Sequence, residues 1–163
     1  LAGGGIATNS KVFRKSCFDI VPDWYKQAHV GDMPQDLLLA HCGDVYYIDR
    51  VMSVYRLGVK NSWTRKKYTG SDVLEKKLET LTKDIKLYQA FDEYTKGKYS
   101  QYIDKVCNHI RKIMILLEPG EFREKMNILS RMKVEYGLKR AIFIAAKYMG
   151  LFVYARMLAF FSK

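Results

Sequence analysis

Residues 31–57, GDMPQDLLLAHCGDVYYIDRVMSVYRL, change character twice within a short span. PQDLLLAHC reads as a helix. Pro34 fits its first turn, where a missing N–H loses nothing, and Gly43 stands where a C′ glycine belongs. DVYYI and VMSVYRL follow as two β-branched and aromatic runs joined at Asp49-Arg50, the pattern of two strands meeting at a hairpin or a sharp corner. Upstream, LAGGGIATNS opens as a loop. SKVFRK then alternates enough for a short strand, with Val12 and Arg14 on one side and Phe13 on the other. Residues 1–68, which also hold both tryptophans, Trp24 and Trp63, therefore read as mixed α and β.

Residues 69–163 read as almost wholly helical. Ser71 or Asp72 caps a helix that runs to roughly residue 96 before Gly97, with Leu74, Leu78, Leu81, Ile85 and Tyr88 at helical spacing. Tyr99 to Leu117 repeats the pattern through Ile103, Val106, Ile110, Ile113 and Leu117; Pro119-Gly120 breaks the chain, and Glu121 to Tyr136 forms a third helix. The expected class is α+β, mostly helical, organised as 1–68 and 69–163.

The 163 residues are 48% hydrophobic and 28% charged, which is globular composition, neither disordered nor collagenous. Lys and Arg number 28 against 17 Asp and Glu, a formal charge of +11 that calls for an anionic partner. Much of the excess lies at the end, where Arg131, Lys133, Lys139, Arg140, Lys147, Arg156 and Lys163 face the single acid Glu135. LKRAIFIAAKYMGLFVYARMLAFF is apolar nearly all round, yet a membrane span needs about 20 apolar residues with few charges. Lys147 and Arg156 interrupt this one, and a central cation costs roughly 2.5–3.5 kcal/mol on insertion scales. Two readings remain for residues 138–163: a basic aromatic helix lying in the headgroup plane of an anionic bilayer, or a helix packed on the fold with its Lys and Arg stems reaching outward. Cys17, Cys42 and Cys107 are odd in number and show no short metal spacing, which argues against a disulfide framework or a zinc ribbon and favours a reducing compartment. The chain opens on Leu1 without a charged-then-apolar leader and reads as a processed or excised piece.

Few constellations suggest chemistry. Gly3-Gly4-Gly5 has no preceding strand and no following GK[ST], so it reads as a loop and not a phosphate cradle. His29, His41 and His109 form no metal set and read as surface or helix-end residues; Cys17 and Cys42 read as small packed residues. The sharpest feature is Gly31-Asp32-Met33-Pro34. Asp32 followed by Gln35 has the capping-box pattern, and a carboxylate held at a helix N-terminus is also placed to act as a base. Asp36, one turn on, reads as a solvated helix-face residue. Tyr55, Arg56, Lys60 and Trp63 fall at and beyond a strand end, where binding groups collect, and Arg56 has the shape to meet a phosphate bidentately.

Taken together, IATNSKVFRK and VPDWYKQAHVGDMPQDLLLAHCGDVYYIDRVMSVYRLGVKNSW resemble the C-terminal part of bacterial family 2 glycosyltransferases. In that family an "HTSSVMFRK"-like strand precedes a "PEWF" segment, a "GD.P" or "ED" motif opens a helix, and "G.IYYI...MSVYR....SW" closes the catalytic domain. The matching positions here are Thr8, Asn9, Ser10, Val12 and Arg14; Pro22 and Trp24; Gly31, Asp32 and Pro34; Gly43, Tyr46, Tyr47 and Ile48; then Met52 to Arg56, Ser62 and Trp63. The resemblance covers roughly a third of the chain and implies the C-terminal part of a GT-A-type α/β domain followed by a helical region. It implies inverting transfer from a nucleoside-diphosphate sugar, with Asp32 as general base toward a glycan or lipid-linked acceptor. Arg56 would then neutralise the departing diphosphate, and Trp24 and Trp63 would offer faces to a sugar ring, although core packing explains each equally well. The family's parallel strands and the D-x-D that holds Mg²⁺ or Mn²⁺ would precede Leu1, and no D-x-D occurs in this sequence. The chain by itself is therefore expected not to turn over sugar nucleotide. Asn9 and His29 also depart from the family pattern and blur the acceptor side. The implied setting is polysaccharide or cell-envelope biosynthesis in the cytoplasm, at the inner membrane face.

A rival from another class is a non-enzymatic basic helical module that binds nucleic acid or a partner protein. The charge suits it, but the sequence has no RNP, helix-turn-helix or zinc signature, and its cations are spread over several helices without a dense stripe. Nucleic acid is accordingly not the favoured partner.

Overall fold

The computed structural model describes residues 6–54, 73–118 and 122–144. Among them the chain is mostly helical and holds no strand. Two 3₁₀ turns, Thr8–Ser10 and Lys15–Phe18, precede α1 (Asp23–Lys26) and α2 (Asp32–Cys42); α3 (Val73–Tyr94), α4 (Ser100–Leu117) and α5 (Phe122–Tyr136) follow, and residues 138–144 are again helical. The chain divides into two compact units, Leu1–Ser100 and Gln101–Lys163. The change of composition at 68/69 is thus not where the units divide, because α3 packs with α1.

In the N-terminal unit, Pro22 holds an extended backbone at the start of α1 and Asp23 sits in its first turn, which suits the positive end of a helix. This short helix serves to present Trp24, which is only 8% exposed and packs edge-on to Phe91 at 5.2 Å and against Tyr94 at 5.9 Å. In α2, Pro34 and Leu38 are buried one turn apart. Gly43 ends the helix, its N–H reaching Leu39 O at 3.2 Å, but in an extended conformation (φ 171°) that needs no glycine. On α3 the buried positions are Leu87 and Phe91, while Leu74 is exposed and Leu78, Leu81, Ile85 and Tyr88 are partly buried. The stripe expected from spacing is rotated toward Phe91 because that is where Trp24 lands.

The strand expectations are corrected. In SKVFRK, Lys11 is turned in and Lys11 and Arg14 have extended backbones, but Val12, Phe13 and Arg14 are all exposed, so the expected two sides are not distinguished by burial. No neighbouring strand pairs with it among the described residues. DVYYI and the described part of VMSVYRL, residues 51–54, are likewise irregular; Val45, Tyr46, Tyr47, Ile48, Val51, Met52 and Val54 are all exposed. Alternation and β-branching set an extended chain by local sterics, but a strand also needs a ladder partner for its N–H and C=O groups.

In the C-terminal unit, α4 buries Ile103, Cys107, Ile110, Ile113 and Leu116. Cys107 and Leu116 take the places expected of Val106 and Leu117, a rotation by one residue either way. Leu116, Met126, Leu129, Met132, Ala141 and Ile144 form one core. The Lys125 ammonium donates to Glu118 O at 2.7 Å and Leu116 O at 3.2 Å, placing a cation on the carbonyls that end α4. Gly137, at φ 86°, turns the chain from α5 into the next helix, and its N–H reaches Lys133 O at 2.9 Å.

The end of α3 has a cap that the sequence misplaced. The Gly97 N–H bonds to Asp92 O at 2.9 Å and the Lys96 N–H to Glu93 O at 3.0 Å, the two bonds of a Schellman motif, which puts Lys96 at the left-handed C′ position (φ 54°). A side chain there costs roughly 1 kcal/mol relative to glycine. Lys96→Gly is therefore expected to raise stability by about 1 kcal/mol, read as a higher denaturation midpoint with an unchanged slope in urea. An unchanged or lower midpoint would contradict the assignment of the cap.

Candidate functional site

Asp32 is the first residue of α2, and Gly31 occupies the cap position with no side chain to offer. The capping box expected with Gln35 does not form. Instead Asp32 Oδ1 accepts the N–H of the next residue, Met33, at 3.0 Å, and the carboxylate lies on the surface. One oxygen is thus anchored by the helix start, and among the described residues no side chain bonds the other.

What holds that turn in place is Lys11, which the sequence reading did not single out. Its side chain is 5% exposed, with Nζ 2.5 Å from Asp36 Oδ1 and 3.5 Å from the backbone oxygen of Asp32. A cation beneath a helix N-terminus opposes the helix dipole, so the Asp36 carboxylate is the group that offsets it. Asp36 is therefore an ion-pair partner and not the solvated face residue expected. Its pairing partner is distant in sequence, so SKVFRK alone carried no signal for it.

From Lys11 the chain runs along α2 toward its other end. Lys11 meets the first turn, and the Lys15–Phe18 turn packs on the helix. Phe13 packs at a tilt against Phe18, centroids 5.2 Å apart, and Phe18 edge-on against Tyr25 at 5.7 Å, so this strap joins the aromatic series that continues through Trp24. The Cys42 thiol is pushed above its ordinary value by partial burial and then by its hydrogen bond to Cys17.

Of the residues predicted to bind substrate, Tyr55, Arg56 and Trp63 lie outside the described residues. Trp24 is described, and it is packed: its indole sits among Tyr25, Phe91 and Tyr94, with Nε1 buried and unpartnered. His41 contacts Phe91, Tyr94 and Tyr99, with Nδ1 3.4 Å from the Tyr99 hydroxyl. This cluster belongs to the end of α2 that carries His41, about 13 Å along the helix from Asp32. The structure does not bring Trp24 to Asp32.

The histidines are packed, not superficial. His29 Nε2 lies 3.0 Å from Asp84 Oδ1, at ion-pair distance but out of hydrogen-bond alignment, and ties the loop before α2 to α3. His109 packs edge-on at 5.2 Å against Tyr136, in a group that includes the Lys112–Glu135 ion pair and the Arg140 guanidinium 5.7 Å from the Tyr136 ring. Burial raises the Tyr136 hydroxyl to about 12, helped by its hydrogen bond to Glu135. Hydrogen bonding to Lys112 holds Glu135 low.

Among the described residues no group of three or more His, Cys, Asp or Glu is placed to hold a metal ion, and no helix is long and apolar enough to cross a membrane. Searches against protein-family models, curated proteins and solved structures find no match to the chain.

Burial, and then the nearby Arg140 charge, lower the pKa of His109 below the ordinary 6.5. The unfolded chain therefore takes up this proton first, and stability falls as pH drops through 6.5 toward the folded value. Glu135, also lowered, adds a second loss as pH falls below the ordinary 4.5. The melting temperature is expected to drop by a few degrees between neutral pH and pH 5, and His109→Phe should flatten that fall. An equal slope in the variant would show that another group titrates.

Proposed function

We propose that this chain supplies the acceptor side of an inverting glycosyltransferase, with Asp32 as the general base. The observation that carries the reading is the Asp32 carboxylate, fixed by Met33 N–H through one oxygen and open to solvent through the other. It stands within a succession of residues, from Thr8 to Trp63, that resembles family 2 glycosyltransferases. A base must be held within hydrogen-bond reach of the proton it removes and must leave an oxygen free to receive it. In the proposed step the open oxygen takes the proton of an acceptor hydroxyl. That hydroxyl attacks the anomeric carbon of the donor from the face opposite the diphosphate, which leaves with the bonding pair. The configuration inverts.

Donor binding belongs, on this reading, to a separate nucleotide-binding half of GT-A type that carries the D-x-D and its Mg²⁺ or Mn²⁺. Arg56 at the end of VMSVYR is assigned to the diphosphate, and Tyr55 and Trp63 to the sugar. The buried setting of Trp24 gives it a packing role beneath the acceptor side.

The reading places the chain at the cytoplasmic face of an anionic membrane, working on a glycan or lipid-linked acceptor. Support comes from the start of the basic segment, where Ala141 and Ile144 are buried in the core while Leu138 and Phe143 are exposed. One face of the helix is used internally and the other carries apolar groups beside cations, the arrangement of an interfacial helix. Flotation with phosphatidylglycerol vesicles should carry the full chain, more weakly at high salt, and leave behind a chain ending at residue 137. Equal flotation of both would remove the membrane assignment.

The test of the base is Asp32→Asn in the enzyme that joins this sequence to its nucleotide-binding half. The amide still accepts the Met33 N–H, so melting should be unchanged, while sugar transfer falls by about 10²–10⁴-fold with donor KM unaltered. Transfer at the parent rate would overturn the assignment.

A further inference from the structure

We infer that Lys11 is a positioning residue for the sugar transfer assigned to Asp32: it fixes the turn that carries the base without touching substrate itself. The inference rests on the reading of Asp32 as that base. The Lys11 side chain is 5% exposed, so an acceptor arriving from solvent does not reach its ammonium. Nζ instead lies 2.5 Å from Asp36 Oδ1 and 3.5 Å from the backbone oxygen of Asp32. In an α-helix the carbonyl of residue 32 and the N–H of residue 36 close one turn. Lys11 therefore meets both residues that close it, one through its main chain and the other through its carboxylate.

That turn needs support from outside the helix. Gly31 at the cap position has no side chain, and α2 has no side-chain cap bond. The first N–H groups of a helix lack partners within it, and an uncapped end is the less stable for it. Asp32 Oδ1 takes the Met33 N–H at 3.0 Å, but this bond lies within the turn and moves with it. Pro34 is buried there, yet apolar burial is non-directional. The Lys11 contacts are directional, and they come from a segment held elsewhere. The Lys15–Phe18 turn packs on α2, and Phe13 and Phe18 lead from it to Tyr25.

The pair contributes little to stability. A cation beneath a helix N-terminus opposes the dipole, and a buried ion pair loses in hydration much of what it gains in Coulomb attraction. What remains is geometric. A reacting group displaced by roughly 1 Å can lose about 10²-fold in rate. Lys11 therefore acts on transfer through the place of the Asp32 carboxylate, and only weakly on melting.

The test removes both charges together, since Lys11→Met alone leaves the largely buried Asp36 without its cation. Lys11→Met combined with Asp36→Asn leaves no unpaired charge, and the full chain is expected to melt within a few degrees of the parent. In that chain the NMR order parameters of the Asp32 and Met33 amides should fall from about 0.85 to below about 0.6, while those of Leu38 and Leu39 stay high. In the enzyme that joins this sequence to its nucleotide-binding half, kcat should drop by about 10–10²-fold with donor KM unaltered. Parent order parameters or parent kcat in the double variant would each sink the inference. So would loss of folding, which would make Lys11 a support of the fold and nothing more. Parent transfer in Asp32→Asn is a separate result: the base assignment falls and takes the catalytic role of Lys11 with it, while the order parameters still report whether Lys11 holds the turn.

Discussion

The edge-on contact between Trp24 and Phe91 is what gives the N-terminal unit an interior. α1 has four residues and α2 eleven, both too short to be stable alone in water. They persist because the indole from α1 is set against a long helix, with Tyr94 beside it and His41 and Tyr99 completing the ring of aromatics. Burying an aromatic of this size contributes about 1.5–3 kcal/mol, and truncation in a packed site commonly costs about 3–5 kcal/mol. α2 is held at its C-terminal end through His41 and at its first turn through the buried Pro34 and the Lys11–Asp36 pair. Asp32 lies on the exposed side of that turn. Packing energy is thus converted into the position of one carboxylate.

Much of the helical architecture was legible from spacing, because an amphipathic stripe needs only a partner surface and several were at hand. The bounds of α4 and α5 fall within a residue or so of those read from Ile103, Ile110 and Ile113 and from the breaker at Pro119-Gly120. Spacing did not reveal rotation. Which of Val106 and Cys107, or of Leu116 and Leu117, faces inward depends on where the neighbouring helix lies. Caps were harder still. The Schellman bonds put Lys96, not Gly97, at the left-handed C′ position, and no propensity scale favours a lysine there. At α2 both residues of a capping box, Asp32 and Gln35, were present at the right spacing, yet Gly31 took the cap and Asp32 became helical. The same carboxylate satisfies only its neighbour's N–H, and that frees its second oxygen.

Asp32 was legible as an acid at a helix start, whereas the buried role of Lys11 was not. Asp32 announces itself by local chemistry, an acid between a glycine and a proline at a helix start. Lys11 and Asp36 are distant in sequence and meet only because the fold brings the Lys11 segment onto the first turn of α2. Trp24 illustrates the converse: a residue type common at sugar sites was put to packing use, a reading that the sequence already held open.

The exposed run from Val45 to Val54 sets a physical condition on any complete account of this chain. Its side chains have strand chemistry, and Val51 is 96% and Tyr46 89% exposed. Local sterics alone extend such a chain, as they do at Lys11 to Arg14, but backbone N–H and C=O groups that face only water lose nothing by being unpaired. A ladder forms when a neighbouring strand takes those groups and covers the apolar side chains at the same time. Under the proposed function that neighbour is the sheet of the nucleotide-binding half, and covering the run would place Tyr55 and Arg56 where its last strand ends. Strand formation here and completion of the catalytic site would then be one event, since the backbone that pairs with the sheet is the backbone that delivers the guanidinium to the diphosphate.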